Sequence, residues 1–313
     1  MKETLVIGSR GSKLAQTQAT IVKAQLHSSH PLLEVSIEII KTSGDVNSEP
    51  LSVIGGKGVF TKELEEALLD GRIDIAVHSL KDLPTILPEG LTIAAICKRE
   101  DPRDALVLPL SRRGVSESSA IDLSALPNGS VVGTSSPRRL AQLKHLRGDL
   151  VFKDLRGNVD TRLRKLDEGE YDALVLACAG LRRLGLENRI SGALSTDQIL
   201  PAVGQGALGV ETRSDDKETI AIAGSLDHKF TRLACLAERA FLRTLGGGCL
   251  LPIAAHAVVR DKRIRLNGLV CDPQGRRVMR DRDTGPLAEA EALGNNLAAR
   301  LLASGAGELL LEE

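Results

Sequence analysis

The feature that most constrains this fold is a regular alternation of strand-like and helical segments. Residues 4–7, 34–40 and 73–77 carry the apolar pattern of strands, and residues 12–26 and 60–69 between them have the apolar spacing of helices. Parallel strands need a long crossover connection, which is usually a helix. The alternation therefore predicts a largely parallel sheet covered by helices.

A second series of the same kind follows. Residues 130–133, 150–152 and 173–177 are strand-like, and residues 137–146 and 159–166 are helical. With 313 residues the chain is long enough for two or three compact domains. We predict an α/β protein with two doubly wound α/β domains.

Two stretches suit crossings between these domains: the polar run REDPRD at residues 99–104, and LPAVG at residues 200–204. After the second crossing we expect the chain to return to the first sheet. From about residue 214 the pattern changes: helical runs at residues 229–245 and 287–304 flank two strand pairs around residues 253–259 and 264–270, which favours a small α+β domain. The predicted domains are residues 1–99 with 200–216, residues 100–199, and residues 217–313.

Charge and cysteine content exclude several functional classes. The 41 basic and 41 acidic residues cancel, and aromatic residues are only 2% of the chain, so neither nucleic acid nor a membrane surface is an expected partner. The five cysteines are scattered and form no CxxC pair, which argues against a disulfide framework and a structural zinc site. No apolar signal segment or membrane span is evident, so we expect a soluble, cytoplasmic protein without a metal.

Arginine-bearing turns recur where predicted strands end. They are GSRGSK at residues 8–13, TSSPRR at 134–139, LRGN at 155–158 with Arg162, and GLRR at 180–183. Sheets of this class bind ligands at the carboxyl ends of their strands, and guanidinium groups pair with carboxylate or phosphate. Together the turns predict one cleft for a ligand with several acid groups, although any single arginine could be a solvated surface residue.

The segment HSLKDLP at residues 78–84 also follows a strand. Asp82, beside Lys81, is a candidate carboxylate for proton transfer or for stabilising a developing cation. The alternative, which spacing alone favours, is a turn aspartate next to a surface lysine. His78 is interpreted as a satisfied strand-end histidine.

Residues 204–209 (GQGALG) match the pattern GxGxxG, but they run into the strand-like residues 210–212. A dinucleotide site requires a helix at that point. The motif therefore indicates tight packing at the domain crossing and does not favour a nucleotide-dependent enzyme.

The run LGGGCLLP at residues 245–252 places Cys249 directly behind three glycines. Glycines permit sharp bends and close approach, so the thiol is expected on a loop. A small residue in a tight loop is the alternative.

Eight runs in the first two thirds of the chain resemble the porphobilinogen deaminase family, in the family's order. They are GSRGSKLA, GGKGVFTKELEEALL, DIAVHSLKDLP, REDPRDALV, GTSSPRR, LRGNVDTRL, AGLRRLGL and LPAVGQGALGVE. The resemblance implies a transferase that joins four porphobilinogen molecules head to tail into hydroxymethylbilane, with release of ammonia. It also implies that the first two domains form a two-lobed, binding-protein-like fold around a cleft.

The resemblance assigns roles residue by residue. Cys249 would hold a dipyrromethane cofactor through a thioether, and Asp82 would be the catalytic acid. The positions matched to cofactor binding are Lys57, Phe60, Lys81, Ser135, Arg138 and Arg139. Those matched to substrate binding are Arg10, Ser12, Arg156, Arg162 and Arg183.

Some positions depart from the family pattern. Gly246 stands where an acidic or polar residue is usual, Leu250 stands where a polar one is common, and residues 108–121 form a longer segment to which we assign no function. The family implies a monomer, with uroporphyrinogen-III synthase as the downstream partner. The alternative from another class is a two-lobed anion-binding protein, in which Cys249 stays a free thiol and Asp82→Asn has little effect.

Overall fold

The computed structural model describes residues 2–42, 61–112, 121–247 and 251–310. The chain divides into two compact units, which are Met1–Glu100 with Ala207–Leu233, and Asp101–Gly206 with Ala234–Glu313. The division into three domains stays a prediction.

The strands of the described residues follow in chain order. They are β1 (Thr4–Arg10), β2 (Glu34–Ile40), β3 (Ile75–Ser79), β4 (Leu91–Ile96), β5 (Asp104–Val107), β6 (Val131–Gly133), β7 (Val151–Lys153), β8 (Ala173–Ala177), β9 (Gly192–Ala193), β10 (Leu208–Arg213), β11 (Ile253–Arg260), β12 (Arg263–Cys271) and β13 (Val278–Pro286).

The helices of the same residues are α1 (Lys13–Ser29), α2 (Lys62–Leu69), α3 (Pro137–Leu146), α4 (Val159–Asp167), α5 (Cys178–Arg183), α6 (Lys217–Gly224), α7 (Lys229–Thr244), α8 (Ala290–Ala303) and α9 (Ala306–Leu309). A 3₁₀ turn, Leu80–Asp82, follows β3 directly. Among the residues that the structure describes, no helix combines the length and apolar character needed to cross a bilayer.

The first unit is built on a sheet with the order β2-β1-β3-β10-β4. β1 is parallel to β2 and β3, whereas β10 is antiparallel to β3 and β4. The predicted return of the chain to this sheet is confirmed by β10. Four of the five strands of this described sheet run in one direction, which confirms the largely parallel sheet, and β10 runs against them. Leu208 pairs with Ser79, the last residue of β3, so the returning chain enters at the carboxyl edge and must run in the opposite direction.

The second unit contains a sheet with the order β7-β6-β8-β5-β9, in which β6, β7 and β8 are parallel and β5 is antiparallel to both of its neighbours. The same unit contains the antiparallel sheet β11-β12-β13. The sequence indicated β11 and β12 but not β13. Polar and charged residues make up most of β13, and an edge strand of this kind lacks the apolar pattern that reveals a strand.

Helix α1 packs its apolar face against the sheet of the first unit. Ala15, Ala19, Val22 and Leu26 recur at helical spacing and are all buried. Ser12 begins the helix as its N-cap, because its hydroxyl oxygen accepts a hydrogen bond from the Ala15 N–H at 3.3 Å. The helix therefore starts at the carboxyl end of β1, where a ligand site is expected.

Candidate active site

A small pocket lies at the carboxyl edge of the first sheet. β1 ends at Arg10 and its parallel neighbour β3 ends at Ser79, so the turns that follow both strands meet at this edge. The pocket has a volume of about 70 Å³, and Arg10, Ser12, His78 and Asp82 are among its lining residues. Three residues that the resemblance assigned to catalysis and substrate binding therefore lie together: Arg10, Ser12 and Asp82.

The carboxyl group of Asp82 is exposed in this pocket, at the end of the 3₁₀ turn. Its neighbour Lys81 is half-buried in the same turn. Behind them, the Gln18 side-chain amide donates a hydrogen bond of 2.8 Å to the Ser79 hydroxyl and ties α1 to the end of β3. No role for Gln18 was predicted from the sequence. A polar residue on the buried face of helix α1 is the feature that could have indicated one.

His78 is satisfied, as its place at a strand end predicts. Its Nε2 atom lies 2.9 Å from Oε2 of Glu211, and both side chains are almost fully buried. Glu211 lies in the middle of β10, diagonally across from His78 in the antiparallel pairing. Sequence reasoning missed Glu211, although an acid inside an apolar strand is an informative signal.

In the second unit, Arg138 and Arg139 begin helix α3, with Ser136 as the N-cap. Both guanidinium groups donate to Asp104, at 2.7 Å from Arg138 Nη1 and 2.7 Å from Arg139 Nη2. All three side chains are buried. Although burial alone would raise the pKa of Asp104, the two guanidinium groups hold it far below its ordinary value.

Inside the protein, Arg138 and Arg139 bind the buried carboxylate of Asp104 and neutralise its charge. Two guanidinium groups and one carboxylate carry a net charge of one positive unit. Binding of the cofactor by Arg138 and Arg139 stays a prediction. Asp104 belongs to REDPRD, which was interpreted only as a polar crossing, so sequence reasoning missed this partner.

Ser135 joins two neighbouring turns of the second sheet. Its hydroxyl donates to the Leu155 carbonyl and accepts from the Leu155 N–H at 2.9 Å, so the turn after β6 is fixed to the turn after β7. A contact of Ser135 with the cofactor stays a prediction.

The remaining predicted arginines of the second unit follow β7 and β8. Arg156 Nε donates to Asp154 Oδ2 at 2.6 Å, Arg162 Nε to the Gly157 carbonyl at 2.7 Å, and Arg183 Nη2 to the Gly206 carbonyl at 2.6 Å. Because β6, β7 and β8 are adjacent and parallel, the turns after them share one edge of the second sheet. That the turns of both sheets line one cleft stays a prediction.

The GxGxxG motif forms a tight turn that leads into a strand. Gly204 and Gly206 have φ angles of 71° and 90°, which favour glycine, and β10 begins at Leu208. The predicted strand after the motif is thereby confirmed, whereas a dinucleotide site requires a helix at that point. Backbone and side-chain hydrogen bonds hold this turn to Glu238 and Asp104.

The start of the glycine-cysteine loop has a structural explanation. Helix α7 ends at Thr244, and the Gly246 N–H bonds the Arg243 carbonyl at 3.0 Å with φ of +67°. A left-handed residue of this kind commonly ends a helix, which accounts for glycine where the family usually has an acidic or polar residue. The predictions for Cys249, Lys57, Phe60 and Leu250 fall outside the described residues, as does most of residues 108–121.

Comparison with known proteins identifies the family. The profile "Porphobilinogen deaminase, dipyromethane cofactor binding domain" matches residues 5–221, and "Porphobilinogen deaminase, C-terminal domain" matches residues 232–303. Curated porphobilinogen deaminases are 51% identical to this chain over 311 residues in Synechococcus sp. strain CC9311, and 50% identical over 311 residues in Roseiflexus sp. strain RS-1. Each alignment covers 99% of this chain, and 96% and 99% of the two relatives respectively.

These matches define a class of enzymes, the transferases of porphyrin biosynthesis that use a dipyrromethane cofactor. The chain belongs to the porphobilinogen deaminase family, also called hydroxymethylbilane synthases. The resemblance read from the eight sequence runs is thereby confirmed, and an anion-binding protein without catalysis is not favoured. Among solved structures, the BenM effector binding domain is similar over 70% of this chain and 90% of its own, at 18% identity and a TM-score of 0.42, which is too distant to bear on function.

Proposed function

We propose that this protein joins four porphobilinogen molecules head to tail into hydroxymethylbilane, using a dipyrromethane primer attached to Cys249. Each addition releases one ammonia, and hydrolysis frees the product. The observation that carries this proposal is the common pocket of Arg10, Ser12 and Asp82, in a chain whose first two thirds match the cofactor-binding domain.

The arginine side chains of the predicted site suit a ligand with many carboxylates. Each porphobilinogen brings an acetate and a propionate, and guanidinium groups bind such groups through paired, charge-assisted hydrogen bonds. Arg10 supplies one cation to the pocket of the first unit, and Arg156, Arg162 and Arg183 follow parallel strands of the second unit. The surplus charge of the Arg138–Arg139–Asp104 group supports one more anion contact.

Asp82 is the candidate for the chemical step. Its exposed carboxylate would accept hydrogen bonds from pyrrole N–H groups and orient the ring in the pocket. It would also stabilise the positive charge that develops as the amine leaves, an effect that is largest where water is excluded. When bound, dipyrromethane supplies the free pyrrole α-carbon to which the first unit is added.

The other cysteines support the choice of Cys249 by contrast. The four cysteines within the described part of the chain are buried: Cys97, Cys178, Cys235 and Cys271. Burial raises the thiol pKa of Cys178 and Cys271 to about 12. Since the thiolate is the nucleophile, these two cannot compete for attachment of the cofactor at neutral pH.

The proposal is tested by intact mass measurement of the purified protein, followed by peptide mapping. We expect a dipyrromethane adduct on the peptide that contains Cys249, and its loss in Cys249→Ser. A bare polypeptide mass that stays bare after incubation with porphobilinogen would overturn the proposal. An adduct on another cysteine would overturn the assignment of Cys249.

We further propose a cytoplasmic monomer of three domains that passes its product to uroporphyrinogen-III synthase. The composition and the family support these statements. Sedimentation of the purified protein, with and without the synthase, measures both the oligomeric state and the partnership.

A further inference from the structure

Three ionisable side chains lie where helix α2 packs against strands β3 and β10, and the charges of Glu211 and His78 act on Glu65. His78 comes from β3, Glu211 from β10 and Glu65 from α2, and all three are buried, with 5%, 0% and 8% of their surfaces exposed. His78 also lines the pocket itself. The group, which we call the buried acid cluster, therefore reaches the site through one member.

The hydrogen bonds of the buried acid cluster are incomplete. Glu211 Oε2 lies 2.9 Å from His78 Nε2, but Glu211 Oε1 and Glu65 Oε1 are buried and find no hydrogen-bond partner in the part of the chain that the structure describes. A buried carboxylate without a partner is costly unless it takes up a proton. Two acids and one imidazole can carry at most one positive charge, so they cannot neutralise each other if both acids are ionised.

The surroundings favour a proton on Glu65. Burial raises the pKa of the Glu65 carboxyl and the negative charges of Glu211 and Glu66 act in the same direction, while the Thr61 hydroxyl and His78 oppose them. The charged residues that line the same pocket as His78 are Arg10 of β1 and Asp82.

We propose that the buried acid cluster stores a proton for the transferase reaction, with Glu65 holding it, Glu211 positioning the His78 ring, and His78 exchanging it with the pocket. This inference rests on the proposed function. It assigns Glu65 and Glu211 as positioning and proton-holding residues, which act through His78 and do not contact the substrate.

The number of protons taken up and released in each addition balances if the buried acid cluster stores one proton. When the C–N bond of the neutral aminomethyl group of porphobilinogen breaks, its electron pair leaves with nitrogen, and one proton is needed to form ammonia. When the new C–C bond forms, the α-carbon of the growing chain releases one proton. One proton is supplied and one is returned in each addition, so no further reactant is required.

Infrared spectroscopy of the holoenzyme at neutral pH tests the stored proton directly. We expect a protonated-carboxyl band that shifts when the protein is labelled with ¹³C-glutamate. The band should disappear in Glu65→Gln and persist in Glu66→Gln, the same change at the next position of α2, where the side chain is 55% exposed. Absence of a glutamate band in the wild-type protein overturns the proposal without any variant.

A second measurement records the ¹⁵N NMR signals of the His78 ring. Because Nε2 of His78 lies 2.9 Å from Oε2 of Glu211, Glu211→Gln should shift the signal of Nε2. An unchanged signal would show that Glu211 does not position this ring.

The steady-state rate of ammonia release then tests whether Glu211 and Glu65 take part in the transferase reaction. We expect Glu211→Gln to lower kcat by about 10–100-fold with little change in KM, by analogy with the groups that orient metal-binding histidines. Glu65→Gln should remove one ionisation from the pH profile of kcat, whereas Glu66→Gln should not. Loss of stability with an unaltered pH profile would mean a structural role only.

The experiments distinguish failure of the proposed function from failure of the proton store. If the wild-type protein releases no ammonia from porphobilinogen, the proposed function fails. If it does release ammonia but shows no protonated glutamate, only the proton store fails.

Discussion

The carboxylate of Asp104 and the guanidinium of Arg138 are joined by two hydrogen bonds, of 2.7 and 3.3 Å, between side chains that are both buried. Arg138 also donates to the Leu200 carbonyl at 2.8 Å. One ion pair therefore connects the first residue of β5, the start of α3 and the segment that precedes β10.

Removing one partner of this pair leaves charge buried without compensation. We expect Asp104→Asn to lower the free energy of unfolding by about 3–5 kcal/mol, as is typical when a buried ion pair is broken. Denaturant titration measures the loss. Glu168→Gln removes the exposed partner of Arg164, with a side chain that is 50% exposed, and should cost only about 0.3–0.5 kcal/mol. Equal effects of the two variants would contradict this interpretation.

Acid stability should depend on Asp216, the N-cap of α6. Burial alone would raise its pKa, but hydrogen bonds from Thr219, with help from Lys2 and Arg213, lower it from 3.8 to about 2. The folded pKa lies below the unfolded one, so the stabilisation is complete above 3.8 and is lost as the pH falls towards 2.

Asp216→Asn should therefore cost about 1–2 kcal/mol at neutral pH, and the difference from wild type should vanish near the folded pKa. Unfolding curves collected from neutral to acid pH measure this difference. Asp215→Asn changes the exposed neighbour and should have no such pH dependence. A constant difference at all pH values would assign the effect to capping geometry alone.

Asp82→Asn should lower kcat for ammonia release by about 10²–10⁴-fold, because the amide cannot transfer a proton or balance a developing cation. The adduct on Cys249 and KM should change little. Asp70→Asn, an exposed aspartate at the end of α2, is the matched control. Activity near that of wild type in Asp82→Asn would favour the turn-aspartate alternative.

Arg10→Lys should raise KM for porphobilinogen by about 10–100-fold, because a point charge replaces a planar pair of donors. The same change at Arg72, which is 50% exposed, should have no effect. If both variants behave alike, Arg10 does not contact the carboxylates.

Gly246→Ala should lower the free energy of unfolding by about 1 kcal/mol, because Gly246 has a left-handed backbone with φ of +67°. Gly224→Ala is the control: it ends α6 in open space without a positive φ, and the change should stabilise the protein by about 0.5–1 kcal/mol. Thermal unfolding compares the two variants, and the same sign for both would refute the strain at Gly246.

The sequence by itself determined the elements with a clear apolar periodicity and their order, because that pattern is local, whereas β13 lacks it. The strands that begin at Thr4, Glu34 and Val131 and the helices that begin at Lys13 and Pro137 follow their patterns closely. The motif runs likewise identified the family before any fold was known, since they record chemical requirements in short stretches of chain.

Only the tertiary structure decided which side chains meet. The pairing of Arg138 with Asp104 spans 34 positions of the chain, and the pairing of His78 with Glu211 spans 133. No local pattern encodes such distances. The direction of β10 is of the same kind: it follows from where the chain re-enters the sheet, beside Ser79, and hydrogen-bond geometry between distant strands sets it.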